Sequence, residues 1–326
     1  MGRLKGNTFL LFIILLAVVV SVVQNAFVLH ILIMIFTAAA LGLAWNVIGG
    51  YGGQLSFGHA AFYGIGAYTS TLLFTKFGVT PWVGMFAGGF LAVVASLILG
   101  IPCFRLRGTY FTLATIAFAE VLRILAVYFK DLTGGSIGIV LQFKGGFWNF
   151  MFRNREPYAF IALGFMALAY YVSLWLEKSR LGYYLTALKE NEDGARAVGI
   201  NTFQSKLIGL MISAFMTAVI GSFFAQYLTF IEPESEFSLG LSIAISLPVM
   251  IGGIGTAIGP VIGSFIITPL QELLRVYISG EYQGLQNIIY GIILVIVVIC
   301  TPQGLHKWIT EGFRGRKKTA ESRQDG

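Results

Sequence analysis

The sequence predicts an all-α fold: a polytopic membrane protein of about ten transmembrane helices, two of them short or broken at glycine-rich turns, with cytoplasmic N- and C-termini. Three observations carry this expectation. The 326 residues are 56% hydrophobic and only 11% charged, whereas an average soluble domain is about a quarter charged, so much of the surface has to face lipid. Several runs approach or exceed the ~18 nearly uncharged residues expected of a membrane helix. Lysine and arginine then concentrate in alternate connections between those runs, as the positive-inside rule requires.

The apolar runs are Thr8–Val28, Ile31–Val47, Trp82–Cys103, Tyr110–Tyr128, Ala159–Trp175, Leu207–Phe230, Ile258–Leu274 and Ile288–Cys300 with its flanks. The first follows a basic MGRLKGN and superficially resembles a signal peptide. It is too long for one and no small-residue cleavage pattern follows, so it is read as a retained span. Gly6 stands where a myristoylation signal needs Ser or Thr. The alternation closes only if two weaker segments, His59–Phe74 and Leu239–Ile251, also cross. Each abuts a glycine-rich stretch, GGYGGQLSFG (49–58) or GGIGTAIGP (252–260). Irregular backbone at membrane depth survives only inside protein or beside a water-lined cavity, so such interrupted spans point to a translocation path.

With the N-terminus inside, Arg3, Lys5, Arg105, Arg107, Lys178, Arg180, Lys189, Arg196 and Lys206 are cytoplasmic, with Lys307, Arg314, Arg316, Lys317, Lys318 and Arg323 of the tail. The other side receives Lys76, Lys130, Lys144, Arg153, Arg155 and Arg275, while Arg123 falls within a span. The net charge of +7 then calls for no nucleic acid; FRGRKK reads as a topology anchor beside anionic membrane lipid. The expected organisation is one transmembrane domain over 1–304, with a cytoplasmic loop at 178–206 and an external loop at 131–158, followed by a basic cytoplasmic tail at 305–326.

Forty glycines suit close helix packing. Gly255, Gly259 and Gly263 recur every fourth residue and predict one bare helix face; Ala38, Gly42 and Asn46 make a similar stripe, with Asn46 able to add an interhelical hydrogen bond. Gly49, Gly50, Gly52, Gly53, Gln54, Gly252, Gly253 and Gly255 belong to the two interrupted regions and are pathway or gating candidates. Glu120 and Arg123, three apart, share a helical face with Thr112, Thr115 and Ala119. Because intramembrane charges are costly, that face lines a pathway or holds an internal ion pair. His59 either hydrogen-bonds the preceding turn or titrates in a proton-coupled carrier.

No catalytic site emerges. The chain has no G-x-x-x-x-G-K-[ST] phosphate loop and no H-E-x-x-H metal spacing. GGSIG (134–138) matches a nucleophile-elbow pattern, but in a loop of an all-helical pattern rather than between strand and helix. Cys103 and Cys300 end apolar runs without metal or redox spacing. Solute pumping would require a separate ATPase or an ion gradient.

One polar island, KENEDGARAVGIN (189–201), interrupts the apolar pattern. Asn191 suits an N-cap, Glu192 and Asp193 place negative charge in the first turn, and Gly199 suits the C-cap. The resulting helix of about two turns is marginal alone. With Ala195 and Val198 on one side, it needs a soluble partner or the ends of its own spans to dock against. D-G-A-R-A-V-G (193–199) resembles the E-A-A-x-x-x-G loop by which ABC importer permeases engage their ATPase. NVIGGYGGQLSFGHAAFYGIGAY (46–68), RGTYFTLATIAFAE (107–120), LTGGSIGI (132–139), GGIGTAIGPVIGS (252–264) and PQGL (302–305) also resemble segments of the LivM-type branched-chain amino acid permeases, a family related to urea and amide permeases. The likeness runs over nearly the whole chain. Asp193 and Gly194 depart from the usual Glu-Ala, and Gly194 lowers helix propensity; Ile137 and Thr301 also depart.

The resemblance implies a subunit of a bacterial inner-membrane importer, with no cofactor on this chain. It would pair with a paralogous permease as a heterodimer and rest on two ATPase subunits that use ATP. A periplasmic solute-binding protein would deliver leucine, isoleucine or valine. It assigns ATPase coupling to Asn191, Glu192, Asp193, Gly194, Ala195 and Gly199. An importer of urea or short amides and an ion-coupled carrier using Glu120, Arg123 and His59 are the competing readings.

Overall fold

A computed structural model describes residues 2–106 and 108–278, together with Ile288, Gly291, Ile292 and Val295. Apart from those four positions, the last expected span and PQGL lie outside the described residues, as do Arg107, Cys300 and the basic tail.

Helices α1 (Gly2–Val22) and α2 (Ala26–Asn46) are separated by three residues. Hydropathy alone carries the first run through to Val28. The break comes earlier because Asn25 caps α2, its side-chain oxygen accepting from the amides of Phe27 and Val28 at 2.9 and 3.3 Å. Helix α2 ends in a π-helical turn, Val47–Tyr51, and unwinds before α3 (His59–Phe77). Helix α4 (Pro81–Cys103) opens on a proline, which costs nothing where the first amide has no intrahelical partner. Helix α5 (Thr109–Tyr128) leads into a short α6 (Lys130–Thr133) and a two-residue strand β1 (Ile139–Val140).

Helices α7 (Glu156–Lys178), α8 (Arg180–Glu190) and α9 (Glu192–Ala197) precede the long α10 (Thr202–Leu228). Strand β2 (Phe230–Ile231) follows and pairs antiparallel with β1, Ile139 opposite Ile231. No strand pattern in the sequence marks this ribbon. It forms because Thr229, at φ 58°, turns the chain back over the 131–158 connection, and its carbonyl accepts from the Leu141 amide at 2.8 Å. A short α11 (Pro233–Glu236), α12 (Leu239–Gly252) and α13 (Gly259–Ile278) complete the described chain.

The protein is an all-α, multi-pass membrane protein. Among the described residues, six segments are long and apolar enough to cross a bilayer: Ala26–Tyr51, Pro81–Cys103, Thr109–Tyr128, Glu156–Lys178, Thr202–Leu228 and Pro233–Gly252. Helix α10 packs against α3 and α4, and α2 against α7, α12 and α13. Helix α12 itself has 14 residues, about 21 Å at 1.5 Å per residue, against a hydrocarbon thickness of about 30 Å.

Close approach in the core depends on missing side chains. A Cβ on Gly66 would overlap the Ala218 backbone, and one on Gly263 the Pro248 carbonyl oxygen. The expected stripe through Gly255, Gly259 and Gly263 is broken, however. Gly255 lies at φ +76° in the turn before α13, a conformation that left-handed backbone geometry reserves largely for glycine. Gly259 and Gly263 alone form the bare face, against Gly253 and Pro248.

Candidate functional site

The two glycine-rich stretches, 49–58 and 252–260, meet at one end of the bundle. Asn46, fully buried at the end of α2, holds them together: its Oδ1 accepts from the Gly255 amide at 2.9 Å, and its Nδ2 donates to the Thr256 carbonyl at 3.0 Å. Gly50 has to lack a side chain here, because a Cβ would strike the Asn46 amide and stand 2.8 Å from the Gly255 nitrogen. Glu177, near the end of α7, adds a second clamp. One of its carboxylate oxygens accepts from the Tyr51 hydroxyl at 3.1 Å and the Ala257 amide at 3.0 Å. Since Tyr51 donates to Glu177, Ser173 donates to Tyr51 across 2.9 Å. The irregular backbone of the second stretch thereby finds partners inside the protein, as a lipid environment demands.

The first stretch is anchored further along. The Trp45 indole donates to the Ser56 carbonyl at 2.7 Å. Thr112 donates to the Leu55 carbonyl at 2.8 Å, and Thr115 accepts from the Phe57 amide at 3.1 Å. The threonines of the expected α5 stripe therefore tie α5 to the turn; Thr115 is fully buried, whereas Thr112 is half-buried. The Gln54 side chain donates to the Gly52 carbonyl at 3.4 Å. His59 is fully buried, and its Nε2 meets Ser213 Oγ at 2.8 Å. Ser213 in turn donates to the Ala44 carbonyl of α2 at 2.7 Å. The ring joins α3 to α10 and also faces the Ser56 backbone of the turn before it.

The polar island docks onto this junction. Asn191 Oδ1 accepts from the Gly194 amide at 2.8 Å, as its N-cap role predicts. Gly199 ends the helix at φ +86°, with its amide bonded to the Arg196 carbonyl at 2.9 Å. Ala195 and Val198 do not share a face: Ala195 is 5% exposed and packs with Tyr51, Leu185 and Leu188, whereas Val198 is 77% exposed. Short helices of this length turn about 100° per residue, and the three-residue offset separates the two once the last turn opens toward Gly199. Glu192 bridges Arg196 at 2.9 Å and the buried Lys206 of α10 at 2.7 Å, fastening the helix to its own spans. Lys189 of α8 crosses both turns: a Cβ on Gly53, at φ +64°, would stand 2.9 Å from its Cγ, and one on Gly255 3.1 Å from its Nζ. Nothing in the local sequence singles out Glu177 or Lys189, because their partners lie in distant segments.

The charged part of α5 lies at the opposite end. Arg123 bonds Glu120 through Nη2 and Nε at 2.6 and 2.9 Å, and Glu234 of α11 through Nη1 at 2.5 and 2.7 Å. The ion pair expected of Glu120 and Arg123 forms, and the Glu120 and Glu234 side chains are about half exposed. Only Phe111, Thr115, Ala119 and Ala126 of α5 are buried, so most of this helix has no cover among the described residues. On α2, Gly42 sits 3.3 Å, by its missing Cβ, from Pro260 and Val249, while Ala38 lines a cavity between helices. No group of three or more metal-ligating side chains occurs among the described residues.

The family described as branched-chain amino acid transport system / permease component matches residues 26–298. The high-affinity branched-chain amino acid transport system permease protein LivM of Escherichia coli K12 is 31% identical, over 93% of this chain and 76% of that protein. LivH of the same organism is 27% identical over 82% of this chain and 91% of its own length. The nucleoside ABC transporter permease protein NupC of Lactococcus lactis is 26% identical over 76% and 82%. No solved structure matches the chain. Matched over most of its length, and carrying two clamped glycine turns beneath a capped polar helix, the chain belongs to the branched-chain amino acid transport permease family.

Proposed function

We infer that this chain is a membrane-spanning subunit of an ATP-driven importer that carries leucine, isoleucine or valine across the bacterial inner membrane. The observation that carries the mechanism is the direct packing of Ala195 against Tyr51. Through it, the helix exposed at the membrane surface touches the first glycine turn, and Tyr51, Glu177 and Asn46 join that turn to the second. Displacement of α9 by an ATPase reaches both turns without passing through flexible chain. Asp193, Gly194, Val198 and Gly199 lie on the exposed side available to that partner.

In this reading α8 and α9 form the cytoplasmic loop 178–206, and on the periplasmic side β1, within 131–158, pairs with β2 after α10. Both termini are cytoplasmic. Helices α1, α3 and α13, with the final segment, raise the number of crossings to ten. The exposed face of α5 meets a paralogous permease rather than lipid, since an open cluster of three charges would be expensive against hydrocarbon. Glu120, Arg123 and Glu234 then border the entrance beneath a periplasmic solute-binding protein. ATP is used by two partner ATPase subunits, not by this chain.

Replacing Asp193 and Gly199 together tests the reading. The expected outcome is loss of leucine uptake and of ATPase copurification, with the chain still recovered from the membrane. Normal uptake and normal ATPase recovery would sink it. The likeness to a nucleoside permease favours one second cargo class. Excess nucleoside competing with leucine uptake would support it; uptake unaffected by nucleoside would leave the amino acids.

A further inference from the structure

A cavity of about 210 Å³ lies between α2, α3, α10, α12 and α13 in the half of the bundle remote from α9. Met34, Leu41, Leu241 and Ile245 form apolar walls, and Thr37, Gln271, Glu272 and Arg275 supply its polar part. A dry cavity of about 150 Å³ accommodates a six-carbon ring, so this one has room for a six-carbon solute with a small head group.

Two polar groups inside it have no close partner among the described residues. Thr37 is 4% exposed and its hydroxyl has no hydrogen bond. Glu272 is 6% exposed, yet its nearest cations, His30 Nε2 and Arg275 Nη1, stand at 3.9 and 4.0 Å, beyond hydrogen-bond reach. Burying a carboxylate without direct hydrogen bonds is costly, whereas Glu192 is bonded to Lys206 at 2.7 Å. His30 cannot turn toward Glu272 freely, because its other nitrogen is held by the Tyr227 hydroxyl at 2.6 Å. Arg275 is 65% exposed at the rim, so its guanidinium remains available to an anion.

We propose that this cavity binds a zwitterionic α-amino acid with a short apolar side chain. Its ammonium bonds Glu272, its carboxylate bonds Arg275, and its side chain lies against Met34, Leu241 and Ile245. The pair of opposite charges one turn apart on α13 matches a zwitterion and disfavours any solute of net charge. The choice of cargo rests on the function inferred above; the site does not depend on coupling through α9. It gives the permease an occupancy point within one protomer, in addition to any route between paired subunits.

The test is equilibrium binding of radiolabelled leucine to the full chain in lipid nanodiscs. Leucine should bind saturably at one site. Isopentylamine and 4-methylpentanoate, each lacking one charged group, should compete at least about tenfold more weakly. Glu272→Gln should weaken leucine about 10- to 100-fold, the range of a hydrogen bond to a charged group. Arg275→Gln, at an exposed position, should weaken it with unchanged thermal unfolding, which guards against a folding artefact. Ala38→Leu, which fills the cavity, should abolish binding. No saturable binding, or binding within twofold of wild type in both Glu272→Gln and Arg275→Gln, overturns the site. If the assembled transporter imports leucine under ATP while the chain binds none, the site fails and the function stands. If the chain binds leucine but the assembly imports none, the function fails and the site stands.

Discussion

The two ends of this bundle solve the same problem in opposite ways. At the end that carries α9, irregular backbone is buried and its polar groups are closely matched: Asn46 serves both Gly255 and Thr256, and Glu177 serves both Tyr51 and Ala257. In the other half, buried polar atoms without a protein partner accumulate, among them Tyr68 and Thr71 on α3, Gln226 on α10 and Glu236 on α11. A matched network is stiff, because each shift breaks bonds that water is not present to replace. An unmatched one is soft and open to solutes that supply the missing bonds. The difference fits a machine pushed at one end and loaded at the other.

The strongest way to break the contrast is to separate α13 from α12. Gly263→Val would drive a branched side chain into the Pro248 carbonyl, which is backbone and cannot rotate away. Overpacking of this kind costs about 3 kcal/mol or more, and the expected result is little folded protein recovered in detergent. Next comes Asn46→Ala, which leaves the Gly255 amide and Thr256 carbonyl unpaired beside a fully buried position. A loss of about 2–3 kcal/mol is expected in unfolding experiments, together with loss of transport. Unchanged stability would show that the turns do not depend on this clamp. Glu177→Ala should cost about 1.5–2 kcal/mol, and Glu177→Gln should recover most of that while keeping an acceptor for Tyr51 and Ala257. If alanine and glutamine behave alike, the carboxylate is not the link between the turns.

These clamps mark where sequence reasoning reaches and where it stops. The α9 helix was legible because its signals are local: Asn191 caps Gly194 three residues on, and Gly199 adopts the positive φ expected after the last turn. Asn46 was legible as a hydrogen-bonding residue on a small-residue face, but not as the clamp of a turn 209 residues away. Glu177 carried no signal, since its value depends on which way α7 is rotated when α2 packs against it. Arg123 showed the limit most plainly. Its i,i+3 partner Glu120 follows from helical geometry, whereas Glu234 arrives from a separate helix. Gly255 failed as a helix-face residue because a spacing of four also describes residues that straddle a turn.

The mildest perturbation addresses the soft half directly. Gln226 is fully buried on α10, and neither its Nε2 nor its Oε1 has a protein partner. Leucine has similar volume and no hydrogen bonds to lose, so Gln226→Leu removes buried polar groups without opening a cavity. If that half is dry, the variant should be more stable by roughly 1 kcal/mol, because an unpaired buried amide is a net cost. If solute or water bonds the amide during transport, stability should fall and uptake with it. The clamped end predicts the reverse sensitivity: polar-to-apolar changes there should never stabilise. Thermal unfolding of Gln226→Leu beside Asn46→Leu therefore decides between a uniform bundle, in which the two shifts share a sign, and a divided one, in which they do not.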